Sequence, residues 1–244
     1  MIHIKKYEKI LNCDCFNLMK KLHEKNIIVD AIITDPPYNI SCKNNFKTMK
    51  GRKGIDFGEW DKDFNLISWI KPAINILKQG GNIIIFNDWK NMSYIKEELI
   101  NNNCLIKEMI IWEKSNPMPR NRDRLYVTSC EFAIWATKGK GWTFNRQRDN
   151  YENTIFKYPI VHSKKRVHAT EKPIPLMKDL INIHTNENDI VFDPFGGGFT
   201  TAISCKNLNR QFISCEIGKE IYDKSKIRFD NLFLPDKNIV SSDN

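Results

Sequence analysis

The stretch "DIVFDPFGGGFTTAI", residues 189–203, decides the fold. A short apolar run stops on Asp193 and Pro194, glycines fill 196–198, and helix-compatible residues resume at Thr200. Glycine after a strand permits positive φ and close backbone approach, and the helix that follows offers unpaired N–H groups. The next apolar run, "QFISCE" at 211–216, closes on Glu216, roughly the twenty residues on at which a dinucleotide fold carries its ribose-binding acid. Strand, glycine turn, helix, strand and acid make a nucleoside-binding unit. The spacing G-x-G-x-x-G is absent, which disfavours NAD, and no G-x-x-x-x-G-K-[ST] occurs, which excludes a P-loop.

The same alternation extends in both directions. Residues 27–34, "IIVDAIIT", are a β-branched run bounded by Asp35-Pro36 and read as a strand. Residues 64–78 carry apolar positions at helical spacing that end near Gly80-Gly81. "NIIIF" at 82–86, 105–112, 131–137 and "DIVFD" at 189–193 read as strands; 90–101, 174–184, 200–207 and 219–232 read as helices. The expectation is one α/β domain over 1–244: a doubly wound, Rossmann-like, mostly parallel sheet with helices on both faces. Two stretches fit this pattern badly, a polar loop at 39–61 and a basic, aromatic-containing insertion at 114–172.

In such a sheet, ligands sit outside the carboxyl ends of the strands. Three strands end there on an acid, at Asp35, Asp193 and Glu216, and a short N-terminal run, "KILNCD", ends on Asp14. After Asp35 comes "DPPY", 35–38. Proline forces the residue before it into extended geometry and has no N–H. Asp35, Pro36 and Pro37 therefore form a stiff rim whose accessible polar groups are a carboxylate and carbonyls, all acceptors. Such a rim selects a donor with two hydrogens, an amino group, and Tyr38 offers a face on which a planar ring can stack. An amino group on a flat ring describes adenine or cytosine.

Composition bounds the rest. With 244 residues, 41% of them hydrophobic, and a mean hydropathy of −0.49, the chain can bury a substantial core. No run approaches the roughly 18 apolar residues of a membrane span, and the start lacks a secretory signal, so a cytoplasmic protein is expected. Seven cysteines without a C-x-x-C read as reduced thiols, and no metal site is expected. A net charge of +9 suits a polyanionic partner. The basic residues cluster in the loops: Lys43, Lys47, Lys50, Arg52 and Lys53; Arg120, Arg122 and Arg124; Lys138, Lys140, Arg146 and Arg148; and Lys164, Lys165 and Arg166.

"DPPY" together with "DPFGGGFTT" at 193–201 resembles the amino-methylating DNA methyltransferases, which use S-adenosylmethionine. The order, catalytic motif first and cofactor motif last, looks like the β group of the N6-adenine enzymes of type II restriction-modification systems. "HATEKP" at 168–173 is similar to the segment that precedes the cofactor motif in that group, and "NCDCFNLMKKL" at 12–22 to its adenosine-contacting piece. "KNNFKTMKGRKGIDFGEWD" at 43–61 and "WEKSNPMPRNR" at 112–122 resemble the loops flanking its catalytic centre. Only 139–165 and the last dozen residues lie outside the resemblance.

The resemblance implies a class I methyltransferase fold with circularly permuted motif order. Asp35 and the Pro36 carbonyl would accept hydrogen bonds from the target amino group, and Tyr38 would stack the extruded base. Asp193, Pro194, Phe195, Gly196, Gly197, Gly198, Thr200 and Thr201 would form the cofactor turn. Glu216 would bind the ribose hydroxyls, Asp14 beside Cys15 the cofactor's adenine amino group, and Thr170 and Lys172 would lie near its methionine end. The partner would be duplex DNA, contacted by the 39–61 loop and by a target-recognition insertion at 114–166. A homodimer and a companion restriction endonuclease are further family expectations. The chain departs from the family at two places. Phe199 stands where F-x-G-x-G-T-T has its last glycine, which is strained if that position needs positive φ unless Gly198 absorbs the turn. Ala169 replaces the proline of H-P-T-x-K-P.

Three rivals remain. A cytosine-N4 enzyme of the same fold more often carries Ser in place of Asp35. The second is an RNA or protein-amide methyltransferase; the latter typically carries Asn there, and the long basic insertion fits duplex DNA better. A DNA-binding relative without catalysis would be signalled by Phe199.

Overall fold

The computed structural model describes residues 7–39, 63–119, 122–162, 164, 166–168 and 170–233. Eight strands form one sheet in the order β1-β8-β7-β2-β3-β5-β4-β6. They are β1 (Glu8–Asn12), β2 (Val29–Thr34), β3 (Leu77–Asn87), β4 (Leu105–Lys114), β5 (Cys130–Thr137), β6 (Ile155–Tyr158), β7 (Ile190–Asp193) and β8 (Gln211–Glu216). Adjacent pairs are parallel except those that β5 makes with β3 and β4, so β5 runs against the others.

Both faces are covered, which is why the central strands are apolar throughout. Along β2, Ile32 packs into one core and Ile33 into the other; along β3, Ile83 and Ile85 alternate in the same way with Ile84 and Phe86. On the first face lie α1 (Cys15–Glu24), α2 (Ile70–Asn75) and α3 (Met92–Asn101), burying Leu18, Met19, Ile70 and Ile95. On the second lie α4 (Ile174–His184) and α5 (Thr200–Asn207), burying Leu176, Leu180 and Ala202, while α6 (Lys219–Phe233) adds Tyr222 and Phe229. Among the described residues no helix is long and apolar enough to cross a membrane.

Three elements differ from the sequence reading. Only Ile70–Asn75 of the expected 64–78 helix is helical, and Leu77 to Gly81 already belong to β3. The glycine pair marks an irregularity inside the strand. Pairing with β2 slips between Val29 and Ala31, and Gly80 has φ +74° with its Cβ position only 2.8 Å from the Gly141 carbonyl oxygen. The N-terminal strand ends at Asn12, and Asp14 instead caps α1, accepting from Asn17 N at 2.9 Å. Within the insertion, β6 pairs parallel with β4, a four-residue edge strand too short to show periodicity.

The parallel neighbours β7 and β2 position the site. Ala31 lies opposite Val191 and Ile32 opposite Phe192, so the carboxyl ends of the two strands emerge side by side. Thr34 at the end of β2 donates from its hydroxyl to Asp193 Oδ1 at 2.7 Å, tying the two rims together.

Candidate active site

Beyond that rim lies a cavity of about 370 Å³. Asp35, Pro36, Pro37 and Tyr38 line it, as do Asp193, Pro194, Phe195 and Gly196 to Gly198. Asp14 and Cys15 at the start of α1, Thr170 and Lys172 before α4, Thr200 and Thr201 at the start of α5, and Glu216 at the end of β8 line the remainder. Every residue that the sequence singled out for cofactor or catalysis thus faces one space. The sequence did not single out the apolar lining side chains Phe16, Phe64, Ile217 and Ile221, nor Cys13, whose thiol is drawn down to about 7 by a hydrogen bond with Cys215.

The glycine bend is held from several sides. Gly196 N donates to the Cys215 carbonyl at 2.7 Å and Gly197 N to Glu216 Oε2 at 3.0 Å, while Gly218 N donates to Glu216 Oε1 at 2.7 Å. Burial keeps the Glu216 carboxyl above its usual range despite these donors. Asp193 Oδ1 also accepts from Phe195 N at 3.2 Å, and burial pushes this carboxyl up to about 6. Gly197 has φ +47°, and a Cβ there would have only the His168 ring at 3.7 Å as a neighbour. Its backbone is therefore open to a ligand.

Gly198 does not absorb the turn. Phe199 itself takes φ +54°, ψ +30°, with its ring wholly buried, edge-on to Tyr222 at 6.0 Å. The ring fills space beneath the bend: a Cβ on Gly196 would come within 2.4 Å of it. The phenylalanine is strained in backbone and anchored by packing. Beside it, Arg228 bonds the Gly198 carbonyl and pairs with Glu171 at 2.7 Å.

The acceptor wall is not free of donors, as the sequence reading had it. Tyr38 donates from its hydroxyl to Asp35 Oδ1 at 2.5 Å, and Lys172 Nζ sits 2.5 Å from Asp35 Oδ2. Lys172 also reaches Glu131 Oε2 at 3.0 Å, and Lys114 reaches Glu131 Oε1 at 2.7 Å. Burial raises the Asp35 carboxyl, and the Lys172 ammonium pulls against that rise. Burial would raise Glu131 as well, but Lys172 and Lys114 bring it below the usual carboxylate range. Sequence reasoning missed Glu131 because only the pairing of β5 with β4 and β3 carries it to the site.

The volume lies at the small end of the range for small-molecule sites. Acceptors at Asp14 and Glu216, apolar walls and the half-buried backbone of Gly197 suit a nucleoside carrying amino and hydroxyl groups. Residues 29–227 match the family model described as DNA methylase, which spans N6 and N4 amino-methylating enzymes. The chain belongs to the DNA methylase family. Its members are S-adenosylmethionine-dependent, and the type II methyltransferase M2.MboI of Moraxella bovis is 32% identical over 236 residues, 88% of this chain and 85% of that one. The crystal structure of the M1.HpyAVI–SAM complex is 39% identical, with a TM-score of 0.75 over 90% of this chain and 98% of that one. The cytosine-N4-specific PvuII DNA methyltransferase shares the fold at 16% identity, with a TM-score of 0.70 over 97% and 92% of the two chains.

The basic clusters of the methylase divide between the two ends of the sheet. β4 and β6 carry the chain to the cavity side, where Ser115 N bonds the Tyr158 carbonyl and Ile160 N bonds Asn116 Oδ1. Residues 122–128, with Arg122 and Arg124, are exposed there. β5 then runs away from the cavity, and Lys138 lies seven residues beyond Glu131, about 23 Å along the strand. Lys138 is a structural cap, donating to the carbonyls of Ile74 and Leu77 at 2.8 and 2.7 Å. Lys140 follows it. Arg146 and Arg148 flank the carboxyl end of α4, where Asn145 N bonds the Ile183 carbonyl. Lys138 and Lys140 therefore lie at the end of β5 away from the cavity, whereas the segment carrying Arg146 and Arg148 runs back along α4, with Gln147 accepting from Asn182. Phe144 stacks on Trp135 at 5.3 Å while remaining partly exposed. Lys43, Lys47, Lys50, Arg52, Lys53 and Arg120, with nearly all of the 39–61 loop, lie outside the described residues.

Proposed function

We propose that this methylase transfers a methyl group to the N6 amino group of adenine at a specific site in duplex DNA, after the base has been turned out of the stack. The observation that carries the reading is the shared cavity: the Asp35–Tyr38 segment and the Gly196–Gly198 bend line a single space.

Bound S-adenosylmethionine supplies an electrophilic methyl group on a sulfonium. The chain's own residues hold and align its partner. Asp35 accepts one amino hydrogen and the Pro36 carbonyl the other, so the nitrogen lone pair, otherwise delocalised into the ring, localises towards the methyl. Tyr38 stacks the base and orients Asp35 through its hydroxyl. Catalysis on this reading is mostly alignment and electrostatic preorganisation. The methylated cationic amine is strongly acidic, so its proton leaves after transfer without a dedicated general base. Glu216 binds the ribose hydroxyls, Asp14 the adenine amino group of the cofactor, and Thr170 the methionine end. Lys172, so close to Asp35, serves the catalytic carboxylate as well. The DNA-facing surface is the cavity-side part of the 114–166 insertion, with Arg122 and Arg124. The biological setting is a type II restriction-modification system with a companion endonuclease.

Labelled S-adenosylmethionine and mixed-sequence duplex DNA, followed by digestion and identification of the labelled nucleoside, test the proposal. N6-methyladenine is expected. Label on N4-methylcytosine would replace adenine by cytosine, and label confined to RNA or protein would remove the reading.

A further inference from the structure

Glu131 does not line the cavity, yet it touches the residue that grips the catalytic carboxylate. From the cavity inwards, four side chains alternate in charge: Asp35 on the β2 rim, Lys172 before α4, Glu131 on β5 and Lys114 on β4. The separations are 2.5, 3.0 and 2.7 Å in that order. Lys172 is 2% exposed, closed in by the Phe86 ring at 5.2 Å and the Tyr38 ring at 5.4 Å, with the Tyr38 hydroxyl at 3.2 Å. Such an ammonium has nowhere to go except between its two carboxylates.

That choice bears on the chemistry. Both Asp35 oxygens already accept a hydrogen bond, Oδ1 from Tyr38 and Oδ2 from Lys172. An ammonium bound to Asp35 alone would withdraw the electron density with which the carboxylate must polarise an incoming amino group. A second carboxylate 3.0 Å away divides the ammonium's charge and gives it a place to lean when the amino hydrogen arrives. Lys114 on the far oxygen of Glu131 keeps that carboxylate ionised and fixed.

We infer that Glu131 is a positioning residue for methyl transfer: it shares the Lys172 ammonium with Asp35 and so keeps an Asp35 oxygen available to the target amino group. The inference rests on the reading of Asp35 as the amino-group acceptor. Glu131 acts through Lys172 and touches neither substrate nor cofactor.

The test compares Glu131→Gln, which keeps the shape and removes the charge, with Glu131→Asp, which keeps the charge and shortens the reach. The readouts are the single-turnover rate of methyl transfer to DNA and the Kd for S-adenosylmethionine by direct titration. Glu131→Gln is expected to slow transfer tenfold to a hundredfold with Kd within about threefold of wild type, and Glu131→Asp to recover a substantial part of the loss. A Glu131→Gln rate equal to wild type overturns the inference. Loss of cofactor binding in parallel with rate, or a Glu131→Asp variant as slow as Glu131→Gln, also overturns it, because both indicate a structural role. Failure of the wild-type protein to methylate an exocyclic amine would instead remove the function on which the inference rests, so the two failures are distinct.

Discussion

Lys172 joins two carboxylates: its ammonium lies 2.5 Å from Asp35 and 3.0 Å from Glu131, almost fully out of solvent. Removing the cation leaves the half-buried Asp35 without a cationic partner and Glu131 with Lys114 alone. Lys172→Met is therefore expected to cost about 3–5 kcal/mol of stability at pH 8. Buried acids without their cation have folded pKa values above their unfolded ones. The stability they allow is present below the ordinary carboxylate range and is lost as pH rises through the folded values. Denaturant melts at pH 5 and pH 8 check this. A Lys172→Met deficit that is no larger at pH 8 than at pH 5 would contradict the pairing.

Asp35→Ala separates catalysis from folding. Lys172 keeps Glu131 as a partner when Asp35 is truncated, so no buried charge is stranded. Single-turnover transfer should fall by about 10²–10³ or more, the usual scale for a lost group that stabilises the transition state. Stability should change by no more than about 1–2 kcal/mol. Near-wild-type transfer by this variant would remove Asp35 from the mechanism.

Phe199 sets backbone strain against packing. A left-handed conformation costs a non-glycine residue about 1–2 kcal/mol. Emptying the space of a buried phenylalanine costs about 3–5 kcal/mol. Phe199→Gly restores the residue expected in the cofactor turn, yet the packing loss should dominate and lower stability by about 1–4 kcal/mol. A melting temperature at or above wild type would mean that the strain outweighs the ring.

Where runs of residues are buried on both faces, the sequence was explicit. The strand at 211–216 and the helices at 174–184 and 200–207 have the bounds read from pattern alone, because the prolines and glycines that precede the helices and the polar turn that precedes the strand are local signals. Gly80-Gly81 misled because the same pair that ends a helix also relieves a strand whose backbone approaches another loop. The end of the first strand was misplaced because Asp14, which does line the cavity, caps a helix rather than closing the short apolar run. The strand-end acids and the glycine bend are neighbours through parallel pairing, which alternation implies. Glu131 was hidden for the opposite reason. Its strand inserts antiparallel between β3 and β4, and nothing local in "SCEFAIW" announces that register. The same reversal carried Lys138 away from the site.

Burial drives the pH dependence at His184. Its ring lies against Trp135 at 4.6 Å and Phe144 at 5.7 Å, and desolvation pushes it down to about 3 from an ordinary value near 6.5. A histidine held neutral in the fold takes up a proton more readily when unfolded. Its stabilising contribution is whole above about 6.5 and is lost progressively as pH falls towards 3. Each pH unit across that window should remove up to about 1.4 kcal/mol from this group. His184→Leu should flatten the stability profile between pH 6.5 and 4. An unchanged slope in that variant would assign the acid sensitivity elsewhere.

Two pairs of basic residues should differ in their response to DNA. Arg122 and Arg124 are exposed on the cavity side, whereas Lys140 follows the far end of β5 and Arg148 lies on the segment between β5 and β6, paired with Glu152. Neutralising a phosphate-contacting residue weakens binding across sequences and lowers the salt slope of log Kd by about 1 per contact. Arg122→Ala with Arg124→Ala should therefore reduce the slope by about 1–2 and weaken affinity at low salt. Lys140→Ala with Arg148→Ala removes the same formal charge, so both pairs share any long-range effect of net charge, and the second pair should leave the slope within about 0.3 of wild type. Fluorescence anisotropy on a labelled duplex across a salt series measures both. Equal slopes for the two double variants would show that DNA does not lie on the cavity side, and a larger effect from Lys140 and Arg148 would move the duplex to the surface that carries them.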